Sequence, residues 1–404
     1  MTGRSLPTSF QRGVSEQLAC TRGNQAAVPV AVGVPGGSDH DRSEPTTGEL
    51  EPGVVMRVLV VNAGSSSLKV RLLDGDDLVE QWTELPGRAP DVDAVGHRIV
   101  HGGTEFVQPV VIDADVERRL RALVELAPLH QPKSLDALDA ARRLLPDVPH
   151  VGCFDTAFHA TLPPAARTYA LPERWRQAYG VRRYGFHGLS HSWASSRAVA
   201  MVPEARRVVT CHLGAGASLA AVLDGRSTDT TMGFTPLEGL VMATRSGSVD
   251  PGLVLWLMEH EGLPPREVAE ALERRSGLLG LAGSQDMRVL LGRADAAARL
   301  AVDVYLHRLA AGVASMTAAL GGLEVLVFTG GVGENSAVIR ERAAGRLGFL
   351  GVRIEGVTNA TAVPDVDVSA PSATARTLVI AAREDIQIAR DTRRLLGATG
   401  PGAG

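Results

Sequence analysis

One pattern occurs twice in this chain and constrains what it can fold into. Residues 58–75 read VLVVNAGSSSLKVRLLDG, and residues 208–225 read VVTCHLGAGASLAAVLDG. Each is an apolar, strand-like arm, a turn of small residues, a second apolar arm and an Asp-Gly turn signal. Self-similarity of this kind marks an internal duplication. It predicts two related α/β domains. A third glycine turn follows another apolar run, in VLVFTGGVGENSAV. The dinucleotide-binding fingerprint requires GxGxxG opening a helix, whereas the first two turns open into strands; a Walker lysine motif is also absent. Small residues let backbone N–H groups come close to anionic oxygens. The turns are therefore read as phosphate hairpins with a nucleotide in the cleft between domains. A Gly/Ser turn taken alone is more often only a turn.

A chain of 404 residues is long enough for two cores. Its 41 basic and 45 acidic residues leave a net charge of -4, so no broad basic face is implied and nucleic acid is not an expected partner. Only Lys69 and Lys133 are lysines; beside so much Gly and Pro, this reads as compositional bias with little bearing on function. Cys20, Cys153 and Cys211 make no disulfide framework and suit a reducing compartment, so a cytoplasmic location is expected. No run of 18 apolar residues predicts a membrane span. Residues 1–55 carry no signal-peptide pattern and are rich in Gly, Ser, Pro and Thr. They read as a disordered extension or a mis-assigned start, with Met56 as the alternative first residue.

The periodicity predicts further strands in DAVGHRIV (93–100) and VPHVGCFD (148–155), and LVIAARED (378–385) closes the body. Helices are expected over 120–126, 134–145, 188–200, 295–320 and 336–347, with an amphipathic last helix over 385–396.

Seven segments together resemble the acetate and propionate kinase family, within the superfamily of sugar kinases, Hsp70 chaperones and actin. They are NAGSSSLK (62–69), GHRIVHGG (96–103), FDTAFH (154–159), RYGFHGLSH (183–191), HLGAGAS (212–218), DTTMGFTPLEGLVMATRSGSVDPG (229–252) and FTGGVGENS (328–336); REDIQIAR (383–390) is a looser match. The resemblance implies two duplicated actin-like (ribonuclease H-like) α/β domains with an interdomain active-site cleft. The first would span 56–205, completed by a C-terminal helix at 382–396. The second, at 206–381, would bind nucleotide and carry the dimer contact. The implied activity is reversible, magnesium- or manganese-dependent transfer of the ATP γ-phosphoryl group to acetate, giving acetyl phosphate and ADP, in a homodimer.

Phosphoryl transfer needs alignment and positive charge on the equatorial oxygens more than covalent help. Arg98 and Arg245 match the family arginines that hold the carboxylate and the phosphoryl group; a guanidinium offers a planar fork of donors with permanent charge. His187 matches the family histidine that contacts the phosphoryl group, and His191 is read as support for its loop or as a helix cap. Asp155 resembles the aspartate that orients an arginine or interacts with magnesium; alone, it would equally read as a helix cap. Asn62 and Glu384 match the metal-side residues, and magnesium takes hard oxygen ligands while keeping several waters. Val100, Leu129, Phe186 and Pro236 would wall the acetate methyl group. On the nucleotide side the resemblance implies Lys69, His212, Leu213, Gly214, Ala215 and Gly216, then Asp286, Met287 and Arg288, then Gly330, Gly331, Val332, Gly333, Glu334 and Asn335.

Three positions depart from the family pattern. Ala215 stands where an Asn is usual, Leu189 where a Thr is usual, and Arg383-Glu384-Asp385 where Asn-Glu-Glu is usual. A methyl group at 215 removes both a donor and an acceptor. Two other readings follow. One is a propionate or short-chain acyl kinase, since one methylene is worth only about 1–3 kcal/mol of discrimination. The other is a nucleotide-gated binding protein without acyl transfer, motivated by Ala215 and the altered acid pair.

Overall fold

The computed structural model of the chain describes residues 56–64, 68–126 and 131–397. The expectation for residues 1–55 lies outside the described residues, as do most of the first Gly/Ser turn and Leu129. The two duplicated segments form two hairpins. In the first, β1 (Arg57–Ala63) pairs antiparallel with β2 (Leu68–Asp74), which pairs with β3 (Asp77–Trp82). The sheet continues through β4 (Ala94–Ile99), β5 (Val110–Val111) and β6 (His150–Phe154) in the order β3, β2, β1, β4, β6, β5. The second sheet holds β7 (Arg207–Leu213), β8 (Ala217–Leu223), β9 (Arg226–Thr230), β10 (Val325–Thr329), β11 (Val366–Asp367) and β12 (Arg376–Val379). Its order is β11, β12, β10, β7, β8, β9, the same arrangement read from the other edge. Both sheets are parallel through their central three strands and antiparallel at each side. Both also carry a register shift at the same place in the second hairpin strand, between Leu72 and Leu73 and between Ala221 and Val222.

Each sheet is buried on both faces, as parallel strands require. Along β1, Leu59 and Val61 pack toward the helix Gln131–Leu144, while Val58 and Val60 pack toward the C-terminal helix Glu384–Leu395. In the second sheet Leu326 and Phe328 share a core with the helix Ala296–Leu320; Val325 and Val327 share another with the helix Gly188–Met201. The Gly188–Met201 and Glu384–Leu395 helices also pack on each other. They form the layer that separates the sheets. Gly96 in β4 admits the C-terminal helix: a Cβ there would lie 2.6 Å from Ile388 Cγ2.

The 295–320 helix begins at its cap, Asp295, whose carboxylate accepts from Ala298 N at 3.1 Å. The helix expected over 120–126 starts earlier. It runs over Ala114–Ala122 from an Asp113 cap, and Leu123–Leu126 is a tighter 3₁₀ turn. The helix expected from 134 starts at Gln131, with Pro132 in its first turn, where a missing N–H costs nothing. Edge strands β3 and β9 were not expected. β3 is largely exposed, and its Leu78, Val79 and Trp82 do not alternate with its polar residues, so there is no period-two pattern for a sequence reading to find. No helix among the described residues is long and apolar enough to cross a membrane.

Candidate active site

Parallel strands end together, and open α/β sheets place ligands beyond their carboxyl ends. Asn62 sits near the end of β1, Arg98 near the end of β4, and Asp155 directly after β6. Arg98 makes a two-pronged pair with Asp155, Nε to Oδ1 at 3.1 Å and Nη2 to Oδ2 at 2.6 Å. Asp155 is thus neither a cap nor an open carboxylate; it fixes the plane of the guanidinium. Arg98 Nη1 also reaches Asn62 Oδ1 at 3.4 Å, and Asn62 Nδ2 donates to Glu384 Oε2 at 2.8 Å. These groups line one cavity of about 460 Å³. Burial works against the charge of Arg98, but Asp155 and then Glu384 more than offset it and hold its pKa above the ordinary value. Burial also works against the charge of Glu384, and there Arg98, His212 and the Asn62 hydrogen bond win, so its carboxyl titrates lower than usual.

Arg245 enters from the other side of the same cavity. Its Nε lies 3.3 Å from Glu273 Oε2 and its Nη1 lies 3.3 Å from Pro236 O. His187 stands between the halves. It precedes the helix Gly188–Met201 with φ 57° and ψ 23°, a left-handed conformation that costs a non-glycine residue about 1–2 kcal/mol. Strain of this kind persists where the surroundings enforce it. Here the next residue does so: Gly188 N donates to Asp155 O at 2.9 Å, and a Cβ on Gly188 would stand 2.1 Å from that oxygen. The helix start is pressed onto the Asp155 backbone, and His187 is turned toward the loop that holds Gly216. Burial, then His212 and Arg98, push the His187 imidazole well below its ordinary pKa, so it is neutral at physiological pH.

Val100, Phe186 and Pro236 line the same cavity. Lys69, His212, Gly214, Ala215, Gly216, Gly330, Gly331 and Glu334 line it as well. A second cavity of about 1280 Å³ adjoins it through Lys133, Gly214, Ala215, Gly216, Arg245 and Gly331, which line both. Asp286, Met287, Arg288, Val332 and Asn335 line this second chamber.

Two expected residues are not brought to either cavity. Leu213 is fully buried in the core of the second sheet, because it points to the opposite side of its strand from His212. Gly333 is buried beneath its turn, where a Cβ would lie 3.3 Å from the Phe328 backbone. The third glycine turn also differs from the first two, since it opens the short helix Gly330–Asn335 rather than a strand. Glu334 anchors it there by accepting from Gly330 N and Ala382 N.

Sequence reading missed Lys133, Arg71, Glu273 and Asp385. The signal for the first was present. Lysine is used only twice in the whole chain, and both lysines line this cleft. Two departures from the family pattern have a structural answer. Leu189 joins the core against Ile388 and Ala389. Arg383 and Arg71 both bind Asp385, so the altered terminal triplet closes into an ion cluster and leaves Glu384 free to face the cavity.

Two duplicated sheets with paired arginines at their joint cleft define a kinase of the duplicated α/β class. The solved acetate kinase of Porphyromonas gingivalis superposes with a TM-score of 0.78 at 36% identity, covering 84% of this chain and 100% of that one. A solved propionate kinase of Francisella tularensis superposes at 0.77 and 33% identity, covering 83% of this chain and 98% of that one. The acetate kinase of Deinococcus deserti is 50% identical over 357 residues, which is 84% of this chain and 89% of that protein. That of Methanosarcina mazei is 40% identical over 395 residues, covering 84% and 97%. The Acetokinase family model matches residues 76–390, and the chain belongs to that family.

Proposed function

We propose that this enzyme is an acetate kinase, transferring the γ-phosphoryl group of ATP to an acetate oxygen and running reversibly to ATP. The observation that carries the reading is the convergence of Arg98, Arg245 and His187 on one cavity, with Arg98 locked by Asp155. A transferring phosphoryl group spreads charge over three oxygens, and two guanidinium forks from opposite walls match that charge. The neutral imidazole of His187 adds a hydrogen-bond donor. Val100, Phe186 and Pro236 leave room for a small apolar tail beside Arg98. The larger chamber takes the nucleoside, with its phosphates over the hairpin at 214–216 and the turn at Gly330 and Gly331. Closing the two halves excludes water, which otherwise competes as acceptor.

The donor set fits a magnesium ion that retains waters. Glu384 Oε2 takes the Asn62 amide, and Oε1 has no donor among the described residues. One ionised carboxylate and one amide oxygen, completed by phosphate oxygens, suit a hard cation. Bound there, the ion would neutralise phosphate charge. Glu384 and Asn62 would hold it.

For the homodimer, support comes from the helix Pro251–Glu259 in the second half. It is strongly apolar, yet none of its residues is buried, and Leu253, Leu255 and Trp256 stand about half exposed. A second copy of the chain is the occupant proposed for this face. The buried free thiols of Cys153 and Cys211 suit a reducing, cytoplasmic setting.

The test is hydroxamate trapping of acyl phosphate with magnesium ATP and a panel of C2 to C4 acids. The expected result is acetyl phosphate, with the highest kcat/KM for acetate. ATP binding without acyl phosphate would overturn the reading in favour of the non-catalytic alternative, which the intact Arg98–Asp155 pair argues against. A maximum at propionate would favour the short-chain alternative over the acetate kinases at 36–50% identity.

A further inference from the structure

Behind His187 lies a chain of buried groups that the proposed reaction does not itself use. His187 Nδ1 lies 2.9 Å from Ser218 Oγ. The same oxygen lies 2.7 Å from His191 Nε2, and His191 Nδ1 lies 2.7 Å from Thr210 Oγ1. His191, Ser218 and Thr210 are completely buried. They come from three elements: His191 from the first turn of the Gly188–Met201 helix, Thr210 from β7 and Ser218 from β8. The two strands pair, so the hydroxyls are held at fixed spacing.

Counting protons fixes the direction of the chain. Ser218 has one hydroxyl proton and stands between two ring nitrogens, so it donates to one and accepts from the other. Suppose it donates to His191. Then His187 carries its proton on Nδ1, His191 donates from its own Nδ1 to Thr210, and the Thr210 hydroxyl proton has no acceptor among the described residues. Leaving a buried hydroxyl proton without an acceptor is unfavourable. In the other direction every proton is used. Thr210 donates to His191 Nδ1, His191 Nε2–H donates to Ser218, and Ser218 donates to His187 Nδ1. The proton of His187 is then on Nε2. That edge faces the cavity: Cε1 and Nε2 are each 3.2 Å from where a Cβ on Gly216 would stand, and Arg245 Nη1 is 3.3 Å from the same point.

We propose that Thr210, His191 and Ser218 are positioning residues that hold His187 as the Nε2–H tautomer, with its donor aimed at the transferring phosphoryl group. The opposite tautomer would present a lone pair to three anionic oxygens and repel them. A ring nitrogen's partner setting the tautomer of the reacting edge is a general device of histidine sites. The proposal rests on the reading of His187 as a phosphoryl contact, but its structural half stands apart from that reading.

The test is long-range ¹H–¹⁵N correlation of the imidazoles in the full chain labelled with ¹⁵N-histidine, with His187 assigned by its loss in His187→Asn. The expected wild-type spectrum has His187 protonated on Nε2 and bare at Nδ1. In Ser218→Ala the His187 signals should shift toward a tautomer mixture. kcat should fall on the order of 10-fold to 100-fold, with KM for both substrates little changed. Ser218→Thr keeps the hydroxyl and should restore both. Thr210→Val breaks the chain two links away; the same tautomer shift is expected there, which keeps the test open if Ser218→Ala folds poorly. A wild-type His187 protonated on Nδ1, or a tautomer unmoved in both variants, overturns the proposal. Absence of acyl phosphate in the acid panel would overturn the function instead and leave the tautomer result as it is.

Discussion

Arg98 and Lys133 illustrate two kinds of cation in one cleft. Arg98 is fixed: both prongs of its guanidinium that meet Asp155 are engaged, and Asp155 is itself buried. A lysine at this position would keep the charge and lose the fork. Arg98→Lys is therefore expected to lower kcat by roughly 10²–10³, the scale of removing one preorganised donor from a transition state. ADP binding, measured by calorimetry, should change little, because the nucleoside chamber is untouched. Equal loss of kcat and ADP affinity would instead mean that the substitution had disturbed the whole cleft. Lys133 is exposed and borders both chambers. An exposed charge contact is worth about 0.2–1 kcal/mol. Lys133→Ala should then raise KM for ATP by about twofold to fivefold and spare kcat, as steady-state kinetics would read. The sparing use of lysine reads as composition in the sequence and gains meaning only once both lysines are seen to line one cavity.

At the scale of elements, the site depends on two helix starts. The Gly188–Met201 helix begins on the Asp155 backbone, with no room for a side chain at its first residue. Gly188→Ala should cost about 1–3 kcal/mol, the usual range for overpacking, and read out as a lowered urea midpoint. Because the strain falls on Asp155 and His187 together, kcat should drop more than stability does. The exposed Pro251–Glu259 helix carries a separate prediction: the wild-type chain should scatter light as the proposed dimer and Trp256→Glu as a monomer. A wild-type chain that is already monomeric would remove that proposal. Much of this architecture was legible. The duplicated hairpins, the strand ends bearing Arg98 and Asp155, and the Asp295 cap all carry local signals. The misses share a cause. β3 is an exposed edge strand without alternation, and the helix at 114–122 is announced by one Asp cap rather than by an apolar run. Leu213 and Gly333 lie inside recognisable motifs and still face the core, since a motif gives spacing along the chain and not the direction of each side chain. Glu273 and Ser218 matter through contacts between distant segments, which no window of sequence contains.

The two sheets stack on a shared helical layer, and imidazoles are buried both beside that layer and on the far face of the first sheet, near the helix Gln131–Leu144. Seven histidines, at positions 97, 101, 150, 159, 187, 191 and 212, have pKa values pushed below 6.5, with burial the largest cause for each. For His101 and His159 the value falls to about 4. The sign of the consequence follows from proton counting. Below about pH 6.5 the unfolded chain binds protons that the folded chain refuses, so stability is intact above that pH and declines as pH falls through it. Each such histidine contributes a slope of up to about 1.4 kcal/mol per pH unit. Buried carboxyls with raised values, Asp155 and Asp391 among them, act in the opposite sense, because the folded chain takes up their protons first. The lowered imidazoles outnumber the raised carboxyls among the described residues, so the histidine term sets the sign of the slope on the acid side of neutrality. Urea midpoints taken from about pH 7.5 to about pH 5.5 should therefore fall steeply, with a slope of more than one proton. Over the same range kcat should show no inflection from His187, which is already neutral. A flat stability profile would mean that these imidazoles are charged or solvated in the folded chain, and the directed chain from Thr210 to His187 would lose its basis.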